Sequence, residues 1–370
     1  MVLPELPARL TEYPDVIARF LSDANAPLAC PNDLLDAWQV PIPPAQRCAQ
    51  ADTDADGAIE LVLVLTPPQP PSDAPGAALG LPVLVTVLDQ QAGEWKVAYR
   101  TEDVMEGGGL PTSTVEGGPD KVLMAVRDLN GLPGAEIAFR LDTCGAHTCS
   151  TAVEIVGWDG ARYADMTAEE ISISFADVAL EDRDRDGTVE VVMHGGSIGS
   201  VGAGPTRTRT DMYRWDGRAW SLAETVNDPS NFLYHAILDA DEAFRAGDYA
   251  AALELYRSAL ANTGLDEWKD NERAEMEPYA LFRTALGYFA LGGSTAEADA
   301  QLSRAIDGYP DSPHGRMAAA FRDAWLADGS VSDGCEAALA FITENADDFA
   351  WFWDFGYGNP PFDAQALCPL

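Results

Sequence analysis

Apolar residues change their period twice along the chain. Across residues 5–40 they recur at helical spacing, with Leu10, Val16, Ile17, Phe20 and Leu21 forming one stripe. Asn32 is placed to cap a short helix through Trp38, and Pro41, Pro43 and Pro44 end that region. From about 45 to 225 the pattern becomes short apolar runs, such as 59–65, punctuated by acidic or glycine-bearing turns, which predicts strands. Hairpins are expected at 83–88 with 95–99, 152–156 with 162–164, and 210–214 with 219–222. The last two turn at Trp158-Asp159-Gly160 and Trp215-Asp216-Gly217, where Asp-Gly is a strong turn signal; the first turns through Gly93. The Pro-rich stretch 66–82 is expected to be a solvent loop. Helical spacing returns after Ser230. The expectation is an α+β multidomain chain: an N-terminal helical segment (1–44), an antiparallel β-region (45–225), an all-α helical repeat (230–346) and an aromatic C-terminal cap (347–370).

One acidic loop recurs three times inside the β-region. The first copy is Asp52-Thr53-Asp54-Ala55-Asp56-Gly57 with Glu60, and the third is Asp182-Arg183-Asp184-Arg185-Asp186-Gly187 with Glu190. The middle copy runs Asp128-Leu129-Asn130 to Gly134 and Glu136, with Leu132 and Pro133 in place of the third Asp and the Gly. Oxygens at alternate positions, a glycine for the sharp turn and a later carboxylate suit a hard cation, and calcium above others. An EF-hand needs a Glu at its twelfth position, where the first loop has Leu63, and a helix where 59–65 predicts a strand. Solvated Asp-rich turns are the alternative explanation.

A four-stranded unit carrying Asp-x-Asp-x-Asp-Gly-x-x-Glu before an apolar strand resembles the FG-GAP or VCBS repeat of integrin-type β-propellers. The resemblance implies Ca2+ ligation by Asp52, Asp54, Asp56 and Glu60, and by Asp182, Asp184, Asp186 and Glu190. It implies a third, degenerate site at Asp128, Asn130 and Glu136. Three propeller-blade-like units are fewer than the four to eight of closed propellers, so an open three-bladed sector or a curved β-array with covered ends is expected. In the helical part, Ala243, Gly247, Tyr249, Ala252, Tyr256 and Ala259, with Gly-Asp-Tyr at the turn, resemble a tetratricopeptide repeat (TPR). A weaker copy carries Phe289, Gly293, Ala298, Leu302, Ala305 and Pro310, and a third pair spans 312–326 and 335–344. Family helices of this kind often line a peptide groove.

Charge and cysteines narrow the setting. A net charge of -37 argues against nucleic acid and anionic lipid as partners, since both favour a basic surface. Part of that acidity sits in the loops, and a salt-adapted solvated surface is the other source. The six cysteines divide into local pairs, Cys30 with Cys48, Cys144 with Cys149 and Cys335 with Cys368, which favours an oxidising compartment. Six cysteines allow 15 pairings, so connectivity stays open, as does a set of buried free thiols. Cys144, His147 and Cys149 lack a fourth zinc ligand, and a disulfide-closed hairpin fits better. No apolar run approaches the ~20 residues of a transmembrane segment. The start, Met1-Val2-Leu3-Pro4, lacks the regions of a signal peptide. Export would make this a mature segment restarted with a methionine, its signal or lipid anchor not present in this chain.

Catalytic signals are weak. Gly195-Gly196-Ser197-Ile198-Gly199 fits a nucleophile-elbow string, but the glycine-rich stretch after it is no helix. Four histidines leave little for a histidine-based site, and the acidic spacings are explained without catalysis. The reading is a non-enzymatic, exported calcium-binding recognition or scaffold protein at a cell surface, with no catalytic residues. Its helical module would meet a protein or self-assembly partner, and the tail aromatics Trp351, Trp353, Tyr357 and Phe362 form either a packed cap or a surface for glycan or protein. Alternatives are a structural subunit of an extracellular filament or envelope, through open sheet edges, and a glycan- or peptide-processing hydrolase.

Overall fold

A computed structural model describes residues 2–23, 28–70, 80–101, 112–113, 122–292, 295–360 and 365–369. Gly293, Phe362, residues 71–79 of the Pro-rich stretch and the side chains of Trp351 and Trp353 lie outside that description. The chain divides into two compact units, Met1–Ile198 with Thr208–Asn227, and Gly199–Arg207 with Asp228–Leu370.

The first unit is three antiparallel sheets, none of them closed. Sheet one orders β1 (Cys48–Ala51), β2 (Glu60–Leu65), β4 (Leu84–Gln91) and β5 (Glu94–Arg100), with a short β3 (Leu81–Pro82) paired to β6 (Thr112–Ser113) apart from it. Sheet two orders β7 (Leu123–Arg127), β8 (Glu136–Cys144) and β9 (Cys149–Trp158), and its fourth position is divided between β10 (Tyr163–Asp165) and β11 (Ile171–Ser174). Sheet three orders β12 (Asp177–Glu181), β13 (Glu190–Gly195), β14 (Arg209–Trp215) and β15 (Trp220–Asn227).

The hairpins follow the sequence pattern, with turn chemistry to match. Ala92 and Gly93 both take positive φ (54° and 84°), the two-residue turn suited to the right-handed twist of a hairpin. The two Trp-Asp-Gly turns are longer: Oδ1 of Asp159 accepts from the amides of Ala161 and Arg162, and Oδ1 of Asp216 from those of Arg218 and Ala219.

Every residue of β2 is buried, which explains its unbroken apolar run. One core joins β2 and β4 to the N-terminal helices, through Ile17, Leu21, Leu34 and Trp38, and to Ile137, Phe139 and Val156 of sheet two. A second core joins sheets two and three through Ile155, Ile171, Ile173, Val191, Met193 and Trp220. The sheets therefore stack in chain order, with α1 (Tyr13–Asp23) and α2 (Asn32–Ala37) packed over the first. The N-terminal helices thus share this unit's core.

Asn32 does not cap α2; it lies inside the helix behind Pro31, and its Oδ1 accepts from Arg47 Nε at 3.0 Å. Arg47 is almost fully buried and needs that oxygen, together with Asp36 at 2.7 Å, more than the helix needs a cap. Pro44 likewise opens a helical turn, α3 (Pro44–Arg47), at the position where its missing N–H costs nothing.

The second unit holds three helix pairs: α4 (Leu233–Arg245) with α5 (Tyr249–Ala261), α6 (Glu272–Ala290) with α7 (Thr295–Gly308), and α8 (Pro313–Asp328) with α9 (Val331–Glu344). Asp248 caps α5 by accepting from Ala251 N, directly after Gly247 at φ 78°. Small residues sit where helices touch: a Cβ on Gly287 would meet Leu253 at 2.9 Å.

Helix α10 (Ala346–Trp353) and the tail after it belong to this core, through Phe349 and Phe352 of the helix and Phe355 and Leu367 of the tail. Phe355 stacks on Tyr234 of α4, and Phe352 lies against Tyr279 of α6 and His314 of α8. Tyr357 is exposed. At the centre, buried Asp241 accepts from Tyr256, Tyr279 and Arg283, and Arg283 also donates to the carbonyls of Ala366 and Leu367 at 2.9 and 2.7 Å. Disulfides join Cys30–Cys48, Cys144–Cys149 and Cys335–Cys368, the local pairs expected; the last ties α9 to the tail.

His314 is buried among Tyr279, Phe349 and Phe352, its Nδ1 without a hydrogen-bond partner among the described residues, and burial pushes its pKa down to about 3. Its folded pKa is thus below the ordinary histidine value, so the unfolded chain binds the extra proton and stability falls as pH drops through 6.5 toward 3. By pH 5 this one residue should cost about 2 kcal/mol relative to pH 7. His314→Leu should shrink the loss of thermal stability between pH 7 and pH 5; an unchanged loss would contradict the assignment.

Candidate metal centres

The three acidic loops occupy one place in three sheets, the connection between first and second strands. The glutamate opens the second strand in each case and pairs in register with the residue before the loop: Glu60 with Ala51, Glu136 with Arg127, and Glu190 with Glu181. All three glutamates are buried, at 0%, 4% and 1% exposure. Each turns Oε2 back to the second residue of its own loop, accepting from Thr53 N at 2.6 Å, Leu129 N at 2.7 Å and Arg183 N at 2.8 Å. A charge-assisted bond of this kind satisfies a loop amide and leaves the second carboxylate oxygen, Oε1, to find another partner.

The first and third loops share their internal geometry. Ala55 and Arg185 both stand at φ 64°, followed by Gly57 at 88° and Gly187 at 94°. Gly57 N donates to Asp52 and Gly187 N to Asp182, while Asp56 N and Asp186 N donate to Asp54 and Asp184. This winding collects Asp52, Asp54 and Glu60 into one group and Asp182, Asp184 and Glu190 into another, with one oxygen from each residue within 4.8 Å of the others. Two acidic groups able to hold a metal ion result. Asp56 and Asp186 stand outside both; their Oδ1 atoms accept from Ala58 N and Thr188 N at 2.7 Å and shape the loop.

In the first group, Glu60 Oε1 and Asp52 Oδ1 are buried and have no hydrogen-bond partner among the described residues. Burial raises the pKa of both Asp54 and Glu60, and the neighbouring charge of Asp89 raises them further. Buried, unpaired carboxylate oxygens are costly unless a cation completes them. An oxygen-only donor set suits a hard ion. Thr53 is held by its own Oγ1–Glu60 bond of 2.8 Å and by Tyr163 Oη of sheet two at 2.6 Å.

The middle loop is completed from within. Asn130 Nδ2 donates to Glu136 Oε1 at 2.8 Å, supplying a proton where the first loop leaves the oxygen bare. Asp128 Oδ1 accepts from Gly131 N, and Asn130 Oδ1 accepts from Leu132 N. Only two carboxylates, Asp128 and Glu136, are on offer. In the third loop the equivalent Glu190 oxygen faces Arg214 Nε at 3.6 Å.

The loops also bind one another. Ala135 N, just before Glu136, donates to Asp52 O of the first loop, and Val189 N, just before Glu190, donates to Leu129 O of the second. Gly134 stands at φ 105°, and a Cβ there would press on Thr53 O at 3.3 Å. Asp89, Tyr163 and Arg214 were beyond sequence reasoning, because strand register and sheet stacking bring them to the loops. Ser197 follows β13 in an irregular stretch, and only a single 3-10 turn at Val201–Ala203 comes after it, not the helix that a nucleophile elbow places directly behind its serine.

The chain matches no protein-family model and no curated protein.

Asn130→Asp should replace the internal donor with a third carboxylate. Urea unfolding in chelator should show a loss of about 2 kcal/mol, partly recovered in millimolar calcium. Unchanged stability in chelator would refute the role given to the Asn130 amide.

Proposed function

We propose that this is a non-enzymatic, exported calcium-binding protein in which ions brace a propeller-blade-like β-unit and a TPR-like helical unit serves recognition or scaffolding. The observation that carries the metal half is the bare Oε1 of fully buried Glu60 beside Asp52 and Asp54. Calcium is favoured over magnesium because irregular, carboxylate-rich loops suit its larger and more adaptable shell. The repeated Asp-x-Asp-x-Asp-Gly-x-x-Glu pattern, which resembles the FG-GAP or VCBS loop, supports the same ion. Three disulfides support an oxidising compartment, and no described helix is long and apolar enough to cross a membrane.

For the helical unit, the face made by Tyr234, Tyr279 and His314 is filled by the chain's own tail. The partner surface is therefore assigned to exposed positions elsewhere on the helices, among them Glu242 and Glu254.

At the modest affinity of extracellular calcium modules, about 10⁻⁴ M, 10 mM calcium adds about 2.7 kcal/mol per filled site. The unfolding temperature of the β-unit should therefore rise by several degrees from chelator to 10 mM calcium. Asp54→Ala and Asp184→Ala should each remove one bound ion in equilibrium dialysis, and Asn130→Ala none. Identical unfolding curves in chelator and calcium would refute the stabilising metal.

A further inference from the structure

One strand position faces the glutamate of every loop, and it differs in charge among the three sheets. In sheet one, Leu61 pairs with Leu88, so one step along the ladder sets Glu60 opposite Asp89. In sheet two, Ile137 pairs with Val156, which sets Glu136 opposite Gly157. In sheet three, Val191 pairs with Tyr213, which sets Glu190 opposite Arg214. Side-chain observations agree with this register. The charge of Asp89 acts on Glu60 and Asp54. A Cβ on Gly157 would meet the Glu136 side chain at 3.3 Å. Arg214 Nε lies 3.6 Å from Glu190 Oε1.

We infer that this third-strand position decides which loop takes the ion first, with Asp89 strengthening the first site and Arg214 acting as a built-in competitor at the third. The inference rests on the calcium reading and deepens it.

Each partner accounts for the state of the second glutamate oxygen. In sheet one Asp89 is buried and acidic, its carboxylate bonded only to Gln91 Nε2 at 2.8 Å among the described contacts. It offers Glu60 no donor and adds negative charge beside an oxygen that already lacks a partner. A divalent ion is the species that relieves both. Gly157 supplies no charge and leaves no room for a side chain, so the hydrogen bond to the second oxygen comes from Asn130 within the loop itself. In sheet three the guanidinium of Arg214 carries the positive charge that an ion would otherwise bring. Its side chain is half exposed, at 47%, against 2% for Glu190, so it can swing into solvent when an ion arrives. Its field also reaches Asp186. A unit positive charge close to a divalent ion weakens binding even with solvent screening, by about tenfold at distances near 5 Å.

Calcium affinity of each loop is read alone by isothermal titration with calcium chloride on the full chain. The first loop is measured in an Asp184→Ala background and the third in an Asp54→Ala background. In its background, Arg214→Gln should tighten the third loop about tenfold, Arg214→Asp should tighten it further, and Arg214→Lys should stay within a few-fold of the parent. Asp89→Asn should weaken the first loop severalfold. Arg214→Gln and Asp89→Asn conserve most of the side-chain shape, and thermal unfolding of each confirms that the β-unit is folded. Equal third-loop constants in the parent, Arg214→Gln and Arg214→Asp overturn the role of Arg214 while leaving calcium binding intact. An unchanged first-loop constant in Asp89→Asn overturns the role of Asp89. Absence of calcium uptake in every variant overturns the calcium reading and this inference with it.

Discussion

A buried glutamate bonded to a loop amide is the constraint on which the β-unit depends. Glu60, Glu136 and Glu190 each open a second strand and each hold the amide of the second loop residue. That bond fixes where the loop ends and the strand begins, and hence the register of the first hairpin in every sheet. It also carries a cost, because a carboxylate taken out of water must find partners for its remaining lone pairs. The three sheets meet that cost differently: a bare oxygen beside two aspartates in the first, an internal amide in the second, and a guanidinium in the third. On the proposed reading, an ion would be one of three ways to complete the same frame.

The loops matter beyond their own sheets because they are linked in a row. The amide preceding each later glutamate donates to a carbonyl of the previous loop, from Ala135 to Asp52 and from Val189 to Leu129. Tyr163 adds a side-chain brace to Thr53 across the first junction. Distortion of one loop is therefore transmitted to its neighbour through backbone bonds. The helical unit solves a comparable problem with a permanent internal cation, where Arg283 meets Asp241 and anchors the tail carbonyls at 366 and 367. There the charge is supplied by the chain and needs no ion.

The sequence carried the local elements well and the tertiary partners poorly. Strands such as β2 and the Asp-Gly turns were legible because turn chemistry and apolar runs are local properties. The three helix pairs were legible for the same reason, through spacing and the glycine at 247. The acidic loops announced their oxygens, but not that Oδ1 of Asp56 and of Asp186 accepts from the backbone amides at 58 and 188. Asn32 looked like a cap because its demand elsewhere, a buried arginine fifteen residues on, is invisible in a linear string. Asp89 and Arg214 sit in unremarkable strand contexts, and only the ladder register reveals that both face a loop glutamate.

Amide hydrogen exchange at Thr53, Leu129 and Arg183, followed in chelator and in calcium, tests the glutamate frame most directly. The account predicts that all three amides are protected relative to their exposed loop neighbours, since each is bonded to a buried carboxylate. Calcium should raise protection most at Thr53, less at Arg183 and not at Leu129, where Asn130 has already completed the glutamate. Exchange at Thr53, Leu129 and Arg183 as fast as at open loop positions, or a calcium response at Leu129 equal to that at Thr53, would contradict it.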